Sequence, residues 1–90
     1  MENASTIDIH LTRQRLRQFV VQNFLFGDEK PFGDNDSLLQ NNIIDSTGIL
    51  ELVHHLEQTY GITVEDHELL PENLDSVDNV VSFLVRKVSI

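Results

Sequence analysis

Cysteine is absent from this chain. No disulfide framework and no zinc–thiolate site can hold it together, which fits a reducing compartment. No apolar run approaches the ~20 residues that span a bilayer. The N-terminal stretch MENASTIDIH has no basic start followed by an apolar segment, so it does not read as a secretory signal. A glycine-rich phosphate loop is missing, and no Ser-His-Asp set can be defended in so small a chain. Positive charge is scarce: six Lys and Arg stand against 15 Asp and Glu, for a formal net charge of −9. Nucleic-acid binding depends on cations that neutralise phosphates, so DNA and RNA are poor partners, and an anionic membrane surface is no better. Partners with basic patches are favoured instead, mainly through association rate. Between Gly33 and Val85 there is no Lys or Arg at all.

What remains is a length suited to one domain, spanning residues 1–90, with residues 1–5 expected as a flexible tail. A chain this short buries only about 60% of its unfolded surface, so its core is modest. Leu16, Phe19, Val20 and Phe24 follow helix periodicity within a first helix over 12–25, and Leu11 can join that face. Ser5 and Asp8 have the spacing of a capping box, which leaves its start open. Gly27, Pro31 and Gly33 end it.

A long connection follows to Asp45. It is not bland, because Phe32, Leu38, Leu39, Ile43 and Ile44 need cover, and a short turn is expected at Ser37 to Gln40. A second helix runs over 46–60. Ile49, Leu52, Val53, Leu56 and Tyr60 form its buried stripe, and Gly61 provides a left-handed end. Thr63 can cap a short helix over 65–70 that Pro71 ends. Ser76 caps a last helix with Val77, Val80, Val81, Leu84 and Val88 on its apolar face, and Arg86 and Lys87 near its C-terminus. The fold class is all-α: a small antiparallel bundle of three longer helices plus one short helix.

Several constellations carry little. Asp34, Asp36 and Asp45 suggest a calcium loop, but the position that needs glycine is Leu39 and the one that needs a bidentate Glu is Asp45. His54 and His55 project about 100° apart on a helix and cannot share a metal. Glu51 with His55 gives only two ligands. No metal site is expected, and the histidines read as surface residues. Ser46 is different. As the first residue of a helix it can be a simple N-cap, and Asp45 could cap equally well. A helix start also offers unpaired N–H groups and partial positive charge to a phosphate carried on that serine.

The order of elements decides how Ser46 is read. Helix, apolar-studded loop, Asp-Ser, amphipathic helix, short helix near a proline and last helix together resemble an acyl carrier protein. The residues that carry the resemblance are DSL at 36–38, IDS at 44–46, ELV at 51–53, Leu56-Glu57, YGI at 60–62, LPENL at 70–74, and Ser76, Val77, Val80, Phe83 and Leu84.

The resemblance implies that Ser46 receives 4′-phosphopantetheine and that Asp45 assists the transfer, commonly through magnesium on the transferase. An acyl or aminoacyl group would be held on the arm as a thioester, and the chain would have no catalytic residue of its own. It also implies a partner-reading face drawn from Thr47, Gly48, Leu50, Glu51, His54, Glu57 and Gln58. The implied partners are a phosphopantetheinyl transferase, an adenylating ligase and a downstream transferase or condensing enzyme. The protein is expected to be cytoplasmic and monomeric.

Thr47-Gly48 after the serine, His54 and His55 on the outer face, and a thinned acidic run at Glu57-Gln58-Thr59 depart from fatty-acid carriers. They look more like D-alanyl, aminoacyl or peptide-synthetase-type carriers. Gly48 costs about 1 kcal/mol of helix propensity relative to Ala, and close approach of the arm or a partner is the expected compensation. The alternative is a non-carrier acidic interaction module in which Ser46 is only a cap.

Overall fold

Asp8 opens the first helix. In the computed structural model, which describes residues 8–25 and 32–88, its carboxylate accepts a hydrogen bond from the Leu11 N–H at 3.1 Å and caps α1, Ile9–Phe24. Ser5, the tail at 1–5, Phe26 and Gly27 lie outside the described residues. Thr12, Leu16 and Val20, spaced by four, are the buried line of α1. Leu11 does not join them: it is exposed, because the face that meets the core is set by the Leu16 and Val20 row.

Helix α2 spans Ser46–Tyr60 and ends at Gly61, whose φ of 67° is the left-handed cap that glycine adopts without penalty. After it comes a 3-10 turn, Asp66–Glu68. Its N-cap residue is Glu65, not Thr63, and the Glu68 carboxylate accepts from the Glu65 N–H at 2.9 Å. Pro71 does not end a helix but starts one, α3, Pro71–Leu74, where its missing N–H costs nothing. Helix α4 covers Val77–Val88, with the Ser76 hydroxyl accepting from the Asn79 N–H at 3.0 Å. The architecture is thus all-helical: three longer helices, one short helix and a 3-10 turn, with no strand among the described residues. Among those residues no helix is long and apolar enough to cross a membrane.

α4 is the platform on which α1 and α3 both pack. Val77, Val80, Val81, Phe83 and Leu84 share one core with Leu16, Val20, Leu52 and Leu56. The connection completes that core: Phe32, Leu38, Ile43 and Ile44 are all buried. Its backbone is held at two places. The Leu38 N–H donates to the Asp75 carbonyl at 2.8 Å, while the Asp75 carboxylate accepts from the Ser37 hydroxyl at 2.5 Å and the Leu39 N–H at 2.9 Å. Farther back, the Asp78 N–H donates to the Asp34 carbonyl, and the Asp34 carboxylate pairs with both Arg13 and Arg17. The Arg17 guanidinium also lies over the Phe32 ring and donates to its carbonyl. The cations of α1 therefore clamp the connection from one side, and the α3–α4 junction latches it from the other.

α1 and α2 meet through aromatic stacking. His55 is not a free surface histidine; its ring lies parallel to Phe19 with centroids 3.9 Å apart. Partial burial lowers its pKa below the ordinary 6.5.

Two outcomes follow for stability. Asp75→Ala leaves the Leu39 N–H without its partner and costs about 1–3 kcal/mol in urea unfolding, whereas Ser37→Ala costs about 0.5–1.5 kcal/mol. Because the folded state holds His55 neutral to lower pH than the unfolded chain does, protons favour unfolding as pH falls through 6.5. The urea midpoint should decline from pH 7.5 to pH 5.5, and His55→Phe, which preserves the stack, should flatten that decline.

Candidate functional site

The end of the connection delivers Ile43 and Ile44 to the core, and this fixes where α2 begins. Both N–H groups donate to the single carbonyl of Leu38, at 2.9 and 3.1 Å, across a turn that uses Asn42 with a φ of 58°. The next residue, Asp45, is extended, and its Oδ1 accepts from the Gly48 N–H at 2.7 Å. Asp45 is the cap. Ser46 is the first helical residue, exposed, at the positive end of a helix of 15 residues. Its side chain is not what closes the helix start.

Gly48 is explained by the fold. It is buried, and a Cβ there would meet Phe24 Cε1 at 2.8 Å and Ile44 Cγ2 at 2.9 Å. The end of α1 lies against the first turn of α2 at this point, so the expected approach of an arm or partner is replaced by internal packing. Gly48 therefore leaves the outward face.

Glu57 leaves it too. It is half-buried, and its Oε2 accepts from the Val64 N–H at 2.9 Å, holding the extended segment after Gly61. Thr47, Leu50, Glu51, His54 and Gln58 are exposed. Leu50 stands out as a large apolar side chain with 58% of its surface accessible.

Ser46 sits on a ridge between two hollows. On one side is an apolar cleft of about 190 Å³ formed by Leu39, Ile49, Leu69, Leu70, Pro71 and Leu74. On the other is a wider, more polar hollow of about 530 Å³ that includes Asn23, Asn42 and Asp45. Leu39 lines both. The cleft walls were not singled out from the sequence as functional residues. The available signal was the set of leucines, Leu39, Leu69 and Leu70, that no buried helical stripe had claimed.

The three aspartates of the discarded calcium loop serve separate ends: Asp34 pairs with Arg13 and Arg17, Asp36 accepts from the Gly33 N–H, and Asp45 caps α2. Among the described residues no group of three His, Cys, Asp or Glu side chains converges on a common point.

No family model matches the chain. It is similar to the probable acyl carrier protein PigG of Serratia sp. (strain ATCC 39006), with 26% identity over 76 residues, covering 84% of this chain and 87% of that protein. A matched stretch of that length takes in the connection and all of α2.

Packing at Gly48 can be measured directly. Gly48→Ala gains about 1 kcal/mol of helix propensity but forces contacts below van der Waals distance, at about 1–3 kcal/mol, so the expected net is a lower melting temperature. Combining it with Phe24→Leu should recover part of the loss, the Ile44 contact remaining, and give a favourable coupling energy in a double-mutant cycle.

Proposed function

Starting from the acyl carrier family that this similarity supports for the chain, we propose that Ser46 is the attachment point for 4′-phosphopantetheine. The observation that carries the reading is the division of labour at the start of α2. Asp45 does the capping and Ser46 is left exposed at the positive helix end. The competing reading is an acidic interaction module in which Ser46 is only a cap; it is less favoured because the capping bond is made by Asp45.

The site suits the group. A phosphodiester on the Ser46 oxygen would lie where the first-turn N–H groups and the helix dipole favour an anion. The prosthetic group supplies a terminal thiol that holds an acyl or aminoacyl cargo as a thioester, which accounts for thiol chemistry in a chain without cysteine. Asp45 assists loading from its place beside the serine. Its carboxylate is already oriented by the Gly48 N–H.

The chain does no bond-making of its own. Thr47, Leu50, Glu51 and His54 present the surface that a transferase, an adenylating ligase and a downstream acyl-transferring or condensing enzyme would read. Leu50 is the apolar anchor and Glu51 the charge for a basic rim. Thr47 and His54, the departures from fatty-acid carriers that stay on the outer face, favour an aminoacyl or specialised acyl cargo over a routine fatty chain. Such a carrier works as a monomer in the cytoplasm.

The test is mass spectrometry after incubation with coenzyme A and a broad-specificity phosphopantetheinyl transferase. The expected product is a single phosphopantetheine adduct, lost in Ser46→Ala and kept in Ser82→Ala, a change at an exposed serine of α4. An unmodified chain under conditions that load a control carrier would refute attachment at Ser46.

A further inference from the structure

Arg86 and Lys87 are the only cations after Lys30, and both are committed to one short segment. Lys87 Nζ donates to the Glu68 carboxylate at 2.9 and 3.3 Å. Arg86 Nη2 donates to Asn73 Oδ1 at 2.9 Å, and Asn73 Nδ2 donates to the Glu68 carbonyl at 2.9 Å. The circuit closes on itself through the adjacent backbone of Arg86 and Lys87.

Asn73 is buried, with 8% of its surface exposed, so both halves of its amide need partners and have them. The Glu68 carboxyl is held below the ordinary range, first by the Glu65 N–H and then by Lys87, so it stays ionised through the working range of pH. Between the two tied residues, Glu68 and Asn73, lie Leu69, Leu70 and Pro71, which form one wall of the apolar cleft beside Ser46. A segment this short, tied at both ends to α4, has little room to move outward.

We infer that this ring of Arg86, Asn73, Glu68 and Lys87 fixes the outer wall of the cleft and so limits the length of cargo the carrier can shelter. The inference rests on the carrier reading of Ser46. A cleft of about 190 Å³ is below the ~300–1,000 Å³ of sites that enclose drug-sized ligands. It suits a short acyl chain or one amino-acid side chain. Longer chains would need the wall to swing out, and the ring opposes that. Arg86 and Lys87 act here as positioning residues: they bind Asn73 and Glu68, which flank the wall, and do not touch the cargo.

The experiment uses the full chain loaded enzymatically at Ser46 with acetyl, butyryl, hexanoyl, octanoyl or decanoyl phosphopantetheine, in the native form and in the variants Lys87→Met and Arg86→Met. Methionine keeps the apolar stem and removes the donor. Hydroxylamine cleavage of the thioester reads shelter, since each further buried methylene should slow it about fourfold.

In the native chain the slowing should level off before octanoyl. In the variants it should continue to octanoyl or beyond. The same plateau in all three, or no dependence on length in a fully loaded native chain, overturns the inference while leaving attachment at Ser46 standing. If no adduct forms, the carrier reading fails and takes the cargo limit with it. Hydrogen exchange of the Leu69 to Leu74 amides in the unmodified protein tests the pinning by itself. Severalfold faster exchange in the variants supports it, and unchanged exchange overturns it.

Discussion

The carboxylate of Asp75 organises the geometry around Ser46. It accepts from the Ser37 hydroxyl and the Leu39 N–H, while its own carbonyl takes the Leu38 N–H. Those three bonds shape the turn whose Leu38 carbonyl then receives Ile43 and Ile44. With both isoleucines seated in the core, Asp45 and Ser46 can only emerge at one point of the surface. One half-buried side chain at the α3–α4 junction thus sets where a residue some thirty positions earlier stands. Local helix propensity could not do this, since the connection has too little regular structure of its own. The result is tertiary, and it depends on burying enough apolar surface along the connection to offset the entropy of ordering it.

The charges follow the same economy. Arg13 and Arg17 are engaged with Asp34, Asp78 and Phe32, and Arg86 and Lys87 with the cleft wall. All four ion pairs are partly buried; Arg13, Arg17, Asp34 and Asp78 form one linked set, and Lys87–Glu68 stands apart. Their positions matter more than their energies. They hold segments that lack long helices of their own, namely the connection and the short α3.

Much of this was legible in the sequence. Helix α2 runs from Ser46 to Tyr60 with its glycine cap, as its periodicity indicates, because the apolar stripe and the turn residue agree. The buried members of the connection were equally visible, since apolar residues in a loop must be covered. Where sequence and structure part, the cause is contact with distant residues. Gly48 looks like room for a visitor until Phe24 arrives from α1. Glu57 looks like a surface charge until the chain turns back and offers it the Val64 N–H. His55 looks solvated until Phe19 lies against it. Pro71 looks like a terminator because proline breaks helices, yet at a first position it begins one equally well. The Asp-Ser pair marked the candidate site, but which of the two closes the helix depends on side-chain direction, which no spacing rule encodes.

Capping by Asp45 rather than Ser46 has one more consequence. The hydrogen bond that secures the start of α2 belongs to a neighbour, so a substituent on the Ser46 oxygen would leave that bond in place. A modification at Ser46 would then be separable from folding. Were Ser46 to carry a group as proposed, the chain would reach its native state before the addition and would present the same capped helix start afterwards.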